Sequence, residues 1–170
     1  VSAKNTVGEG ECTREVSCLS GEVSELRLWE TASIIGTPGS WNEEGNTCDK
    51  AMDGDIGTFF DSDVSTGAWV GLDLGRNTRA MVSRIGYAPR NSTYAKRLKD
   101  GCFQLSEDAD FTSPVTLYTI DVTDTESGTI TYRDVDARKP YRYVRYLSAG
   151  EGSSGNIAEA EFWGFPVELA

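Results

Sequence analysis

A chain of 170 residues, 38% of them hydrophobic, amounts to one domain with enough apolar surface to bury a core. Sixteen Lys and Arg against 27 Asp and Glu leave a net charge of −11 and a pI near 4.4, which excludes a general binder of nucleic acid or anionic membranes, since both need a positive field. The absence of His removes Ser-His-Asp and Cys-His catalysis and His-ligated zinc, and no apolar run is long enough for a transmembrane helix.

Residues 1–31 read as an N-terminal extension. They are polar, carry Cys12 and Cys18, and give a weak helical pattern over Glu22–Trp29. Val1 opens a polar stretch without the apolar core of a signal peptide, so the chain reads as a mature or excised form. From Ala32 to Ala170 the pattern is strand, turn, strand. Ala68–Leu74 alternates, with Val70, Leu72 and Leu74 on one face, and Val82–Tyr87 runs to a stop at Pro89. Gly101–Ser106, Val115–Ile120, Thr129–Tyr132, Tyr141–Leu147 and Ala160–Phe165 follow, with Gly, Pro or Asn between them. Short strands at this spacing, with no strong helical period, predict an all-β sandwich.

Four cysteines, none in a C-x-x-C pair, disfavour a zinc ribbon or a thioredoxin-type site. An even count in an acidic, Gly-rich chain suits an oxidising compartment, hence a secreted or cell-surface protein. Of the three possible pairings, Cys12–Cys18 with Cys48–Cys102 is favoured, because the first closes a short local loop. Four free thiols in a cytosolic chain is the other reading. Asn91-Ser92-Thr93 matches the N-glycosylation pattern, which bears on a eukaryotic chain only.

The segment Lys50-Ala51-Met52-Asp53-Gly54-Asp55-Ile56-Gly57-Thr58 carries the most chemistry. Asp53 and Asp55 straddle a glycine that permits a tight turn, and Thr58 adds a hydroxyl and a carbonyl. Hard oxygens gathered on one loop are what calcium takes. The spacing is not that of an EF-hand, because Gly57 and Val64 stand where ligands belong. A plain solvated Asp-Gly-Asp turn is the alternative.

Six ordered segments share a pattern: Gly39-Ser40-Trp41; Ala51–Asp55 with Thr58-Phe59-Phe60; Gly67–Gly75; Tyr87–Arg90; Tyr141–Arg145; and Asn156–Phe162. Together they resemble the discoidin, or coagulation factor 5/8 type C, family, and within it carbohydrate-binding modules of family 32. The resemblance covers about residues 32–165. It implies an eight-stranded jelly-roll β-sandwich of the galactose-binding-domain-like type, with a structural Ca2+ near one end. In similar modules the metal takes the carbonyl at Lys50, the side chains at Asp53 and Asp55, both oxygens of Thr58, the carbonyl at Ala158 and the carboxylate at Glu159.

The resemblance also places a sugar site on the loops nearest the metal. Sugar recognition needs an aromatic face against the ring C–H patch and planar groups for the hydroxyls. Trp41 fits the first role, with a core anchor as its other reading. Asn42 lies beside it, while Glu43 and Glu44 read as surface charge. Arg90 and Asn91 match positions that bind sugar in similar galactose-binding modules, and Tyr94 is a further stacking candidate. Where those modules carry His and Trp after the metal loop, this chain has Asp61 and Val64, which puts galactose specificity in question. The Ser148–Gly155 loop is placed to complete the site. Trp69, Phe59, Phe60, Tyr143, Phe162 and Trp163 read as packing. Residues 76–99 hold seven Lys or Arg and no acid, which either favours an anionic glycan or disperses over both faces of strands.

The leading reading is therefore a non-catalytic, calcium-stabilised module for an oligosaccharide or polysaccharide, attached in a longer protein to enzyme or adhesion modules, with no nucleic acid and no membrane insertion. A protein- or cell-surface adhesion domain is the alternative. Phospholipid binding ranks below both, because Trp41 is flanked by Glu43 and Glu44. An enzyme would have to be a carboxylate-pair glycosidase, and no such pair is evident.

Overall fold

The computed structural model describes residues 24–121 and 125–169. It is a sandwich of two antiparallel sheets. The strands are β1 (Leu26–Arg27), β2 (Ser33–Gly36), β3 (Trp69–Asp73), β4 (Thr78–Ala88), β5 (Cys102–Ser106), β6 (Val115–Thr119), β7 (Thr131–Asp134), β8 (Tyr143–Leu147) and β9 (Glu159–Glu168). One sheet has the order β1-β9-β4-β7 and the other β2-β3-β8-β5-β6. The all-β jelly-roll architecture is thus the observed one, with one short strand, β1, beyond the eight expected.

Strand parity explains which side chains reach the core. In β4, Ala80 and Val82 point inward, and so do Ile85 and Tyr87. Simple alternation from Val82 would have buried Arg84. A bulge at Ser83, where Val82 faces Gly164 but Arg84 faces Trp163, inserts one residue and flips the parity. Gly164 is required opposite that bulge, since a Cβ there would lie 2.2 Å from the Met81 carbonyl oxygen. Between the sheets, Phe103 sits with its ring centre 5.4 Å from that of Phe162 and 5.5 Å from that of Tyr146.

Two expectations are corrected here. The described part of Glu22–Trp29 is not helical: Leu26 and Arg27 pair with Gly164 and Trp163 of β9, and a 3-10 turn over Leu28–Glu30 buries Leu28. The sandwich therefore takes in residues N-terminal to Ala32. Cys48 and Cys102 are both free thiols. Cys48 lies against Gly36 of β2, and β2 is separated from β5, which carries Cys102, by β3 and β8. Three inter-strand steps of about 4.8 Å exceed the reach of a disulfide. Cys12 and Cys18 lie outside the described residues.

Three connections leave the same end of the sandwich. Gly36 pairs with Val70, Trp69 and Cys102 both pair with Leu147, and Ala88 pairs with Glu159. The loops 37–68, 89–101 and 148–158 therefore meet at one tip. Phe60 closes it: fully buried, it bridges to Ile157 from the opposite loop. Its ring lies so close to Gly155, itself at φ +72°, that a Cβ there would fall 2.5 Å from it.

Alkylation of the unfolded, unreduced chain is expected to label Cys48 and Cys102 on separate peptides. A cross-linked peptide joining the two in the mass spectrum would contradict this strand order.

Candidate functional site

The metal-type loop is built by a 3-10 turn over Cys48–Met52 that ends in Asp53, followed by Gly54 at φ +79°. Asp53 Oδ1 accepts the Asp55 N–H at 2.9 Å, and Asp55 Oδ1 accepts the Gly57 N–H at 2.8 Å. The Thr58 hydroxyl is crowded by oxygens: both carboxylate oxygens of Asp53 at 2.9 Å, the Asp55 carbonyl at 3.0 Å and the Lys50 carbonyl at 3.2 Å. One hydroxyl has one proton, so it cannot donate to all four. Glu159 arrives from the start of β9, 1% exposed, with Oε1 lacking any hydrogen-bond partner. Burial first, and then the charges of Asp53 and Glu161, push its carboxyl up to about 8.

An oxygen cluster this short of donors has the chemistry of a hard-cation site. Among the described residues, no three His, Cys, Asp or Glu side chains gather into a metal group. The donor set mixes carboxylate, hydroxyl and carbonyl oxygens, which suits calcium and not zinc. The residues present fit such an ion. The Thr58 hydroxyl draws Lys50, Asp53 and Asp55 together, and Glu159 lies close enough to Asp53 to feel its charge. Ala158 is buried beside Glu159, and its N–H donates to the Ala88 carbonyl at 2.9 Å. Lys50 also sends its ammonium to within 3.8 Å of Asp53 Oδ2.

Four of the six residues expected at a sugar site, Trp41, Asp61, Arg90 and Tyr94, line a cleft of about 390 Å³ together with Glu44, Arg97 and Ser154. Asp61 is its floor, 7% exposed. Its backbone is taken on both sides by the first loop: its carbonyl accepts the Trp41 N–H at 2.8 Å, and its N–H donates to the Asn46 carbonyl at 2.9 Å. Arg90 Nη1 donates to Asp61 Oδ2 at 3.0 Å, and Arg97 Nη1 lies 3.8 Å from Oδ1. The Arg90 guanidinium rests 3.6 Å over the Phe59 ring and 4.6 Å over Tyr94, while that of Arg97 lies 4.7 Å over Tyr94. These contacts hold the charged forks still and leave further N–H groups free to donate.

Trp41 is 48% exposed, in a 3-10 turn at the lip. That settles its two sequence readings in favour of a surface ring. Asn42 follows it in the left-handed region and spends its N–H on Asp63 Oδ1, away from the cleft lining. Asn91 also stands outside the lining, exposed, its Oδ1 accepting the Tyr94 N–H at 3.2 Å. Tyr94 lines the cleft as a support for the two arginines. Val64 is exposed and lines nothing in the cleft.

Three lining residues were not singled out as binding groups from sequence. Glu44 reads as surface charge. Arg97 is one of seven cations in a row, and only the 3-10 turn Ala95–Leu98 shows that it folds back beside Tyr94. Ser154 comes from the Ser148–Gly155 loop, which Ser62 and Ser65 tie down by backbone bonds of 2.7 and 3.0 Å. Phe59, read as packing, is the ring beneath Arg90. The cationic run does not form one field. Arg79 and Arg84 leave the strand toward Glu107 and Asp134, each at 2.9 Å, while Arg90 and Arg97 turn into the cleft.

A family model described as the F5/8 type C domain matches residues 32–162. No curated protein matches significantly. A solved carbohydrate-binding module, CBM62 from Clostridium thermocellum Xyl5A, is 48% identical, covering 80% of this chain and 96% of its own, with a TM-score of 0.75. A fucolectin from Morone saxatilis serum shares 18% identity over 84% of this chain and 48% of its own, at a TM-score of 0.69. A family 32 module from Clostridium perfringens, solved with GalNAc-β-1,3-galactose, shares 16% over 82% of this chain and 99% of its own, at 0.60.

Asp61→Asn keeps the shape of the floor and removes its charge from two arginines. Loss of about 1.5–3 kcal/mol of stability is expected, the usual cost for a hydrogen bond to a charged group. Urea unfolding checks it, and an unchanged midpoint would contradict the clamp.

Proposed function

Because the chain belongs to the F5/8 type C domain family, we propose that it is a non-catalytic module that holds a glycan in the tip cleft, with a structural calcium ion beside it. The observation that carries the reading is the exposed Trp41 ring standing over a floor of fixed polar groups, Asp61 and Arg90. Trp41 offers an apolar face to the C–H patch of a pyranose ring. Arg90 and Arg97 supply N–H donors in rigid planar forks that can span neighbouring hydroxyl oxygens. Asp61 keeps acceptor capacity for hydroxyl protons, and Ser154 adds a group of either kind. The likeness to a solved carbohydrate-binding module supports a cleft that holds a ligand without turning it over.

The likeness to CBM62 and to the module solved with GalNAc-β-1,3-galactose supports a glycan as ligand. Such a module acts outside the cell or at its surface, where it raises the local concentration of an attached catalytic or adhesive partner. For the metal, Lys50, Asp53, Asp55, Thr58, Ala158 and Glu159 are the residues that would hold the ion. When bound, it supplies the positive charge that the Glu159 carboxylate lacks and joins the first loop to the last strand. That would contribute directly to folding.

Binding to a broad glycan panel in calcium tests the glycan reading. Trp41→Ala and Arg90→Ala are each expected to abolish the binding the parent shows, with Trp41→Ala leaving the melting temperature in place because the ring is half exposed. Binding by parent and both variants alike, or by none on any glycan, would sink the cleft assignment.

Exhaustive chelation tests the metal. A site filled at about 100 times its Kd contributes about 2.7 kcal/mol, so the melting temperature should fall by about 5–10 °C in a chain of this size. An unchanged melting curve would remove calcium from the reading.

A further inference from the structure

One row of residues crosses all five strands of the second sheet: Ile35, Gly71, Arg145, Gln104 and Thr116. Their strand neighbours Val70, Leu72, Val144, Tyr146 and Leu105 fill the core, so alternation turns this row to the outer face. Arg145 stands at its centre. Its Nε and Nη2 both donate to the Gln104 amide oxygen, at 2.9 and 2.7 Å, and Nη1 meets no acceptor among the described residues. Arg79, Arg84, Arg90 and Arg142 each reach a carboxylate oxygen at 2.8–3.0 Å. Arg145 reaches none among the described residues, and burial pushes its pKa below the ordinary arginine value. A half-buried positive charge is thus left unbalanced in a chain of net charge −11.

Two rings hold that guanidinium, which lies 4.1 Å over Phe111 and 5.7 Å over Trp69. Phe111 comes from the connection between β5 and β6, packs against Trp69 and Tyr143, and stands at φ +51°. A bulky side chain in the left-handed region is strained and persists only where its surroundings hold it. Asp108 does so: its carbonyl accepts the Phe111 N–H at 3.3 Å and its carboxylate the Thr112 N–H at 3.1 Å.

We propose that this face is a second glycan contact, selective for a uronate: the Nη1–Nη2 edge of Arg145 pairs with the sugar carboxylate, and the partly exposed Trp69 ring packs against the sugar ring. A planar fork matches a carboxylate through two parallel hydrogen bonds. The same carboxylate supplies the negative charge that the Gln104 amide lacks. Trp69 begins β3, where the first tip loop ends, so an acidic polysaccharide held in the cleft can continue onto this face. The inference rests on the glycan reading for the class of ligand and on none of the tip residues.

Sodium galacturonate titrated into the full chain in calcium, at constant ionic strength and followed by 15N chemical shifts, tests it. The Arg145 Nε–Hε and Trp69 Nε1–Hε1 signals are expected to move with one midpoint. Galacturonate methyl ester keeps the ring and loses the charge, and should leave Arg145 in place. Acetate keeps the charge and loses the ring, and should act on Arg145 about tenfold more weakly. Movement confined to Arg90 and Asp61 would overturn the inference and leave the tip reading standing. So would an Arg145 signal that galacturonate does not move, and an equal response to the ester or to acetate would overturn the uronate assignment.

Gln104→Glu places an acid where Arg145 already donates, with nearly the same shape. The Arg145 response to galacturonate is expected to weaken about tenfold or more, the loss of a hydrogen bond to a charged group. An undiminished response would show that the unbalanced charge does not draw the ligand, and would overturn the proposal.

Discussion

Two carboxylates are buried at one tip of the sandwich, and the chain treats them in opposite ways. Asp61 is met by two guanidiniums, its backbone is hydrogen-bonded on both sides by the first loop, and its charge is balanced from within. Glu159, more buried still, has an oxygen without a partner, and acids at positions 53 and 161 as neighbours. A buried anion without compensation costs several kcal/mol. The first carboxylate is therefore balanced within the chain, whereas burial and the neighbouring acids push the second up to about 8. The rest of the tip is arranged around that difference.

The sheets make the arrangement possible by ending together. β2, β4 and β8 finish, and β3, β5 and β9 begin, at the same edge of the sandwich, so three loops far apart in sequence share one volume. The bulge at Ser83 keeps Ile85 and Tyr87 in the core and Arg84 outside. It thereby fixes the phase in which β4 delivers Arg90 beyond its end. Phe60, packed on Gly155 and bonded to Ile157, seals the region between the oxygen cluster and the cleft. Few apolar groups do this work, and the remaining contacts at the tip are hydrogen bonds and guanidinium–ring contacts.

What was legible in the sequence follows from how local each feature is. Asp53, Asp55 and Thr58 lie within six residues of one another, so their spacing alone puts their oxygens on one turn and leaves a cation and plain solvent as alternatives. Glu159 lies about a hundred residues on and could be assigned to the same set only through family resemblance. Strand positions could be read from alternation, but strand order could not. The Cys48–Cys102 pairing therefore failed: an even count of cysteines contains no information about the β3 and β8 strands between them. Arg97 was hidden among seven cations because its direction depends on a single 3-10 turn. Asn91 stands outside the cleft lining, its amide oxygen accepting the Tyr94 N–H in a local turn that its position in the sequence did not disclose. Trp41 could be read either way from composition, and only its exposure decides.

The backbone at the tip is also strained in a telling place. Six non-glycine residues among those described have positive φ, and four of them, Asn42, Glu43, Asp100 and Ser154, belong to the loops that meet at the tip. Each such residue costs on the order of 1 kcal/mol or more, and persists only where its surroundings over-determine it. Here the surroundings are visible: the Glu43 and Glu44 amides bond back to Ser40 and Trp41, the Gly45 amide to the Ser40 hydroxyl, and Ser154 to residues 62 and 65. A shallow polar cleft gains little from apolar burial, so any ordering of its rim at the moment of binding would consume much of the affinity. Strain held in place by these bonds means that the rim is ordered beforehand, at the expense of folding stability and not of binding. The same logic explains why the arginines are stacked on rings and clamped to a carboxylate and not left free at an acidic surface. On the proposed reading, a mobile guanidinium would have to be immobilised by a ligand, whereas one resting on Phe59 and Tyr94 would meet it already in position.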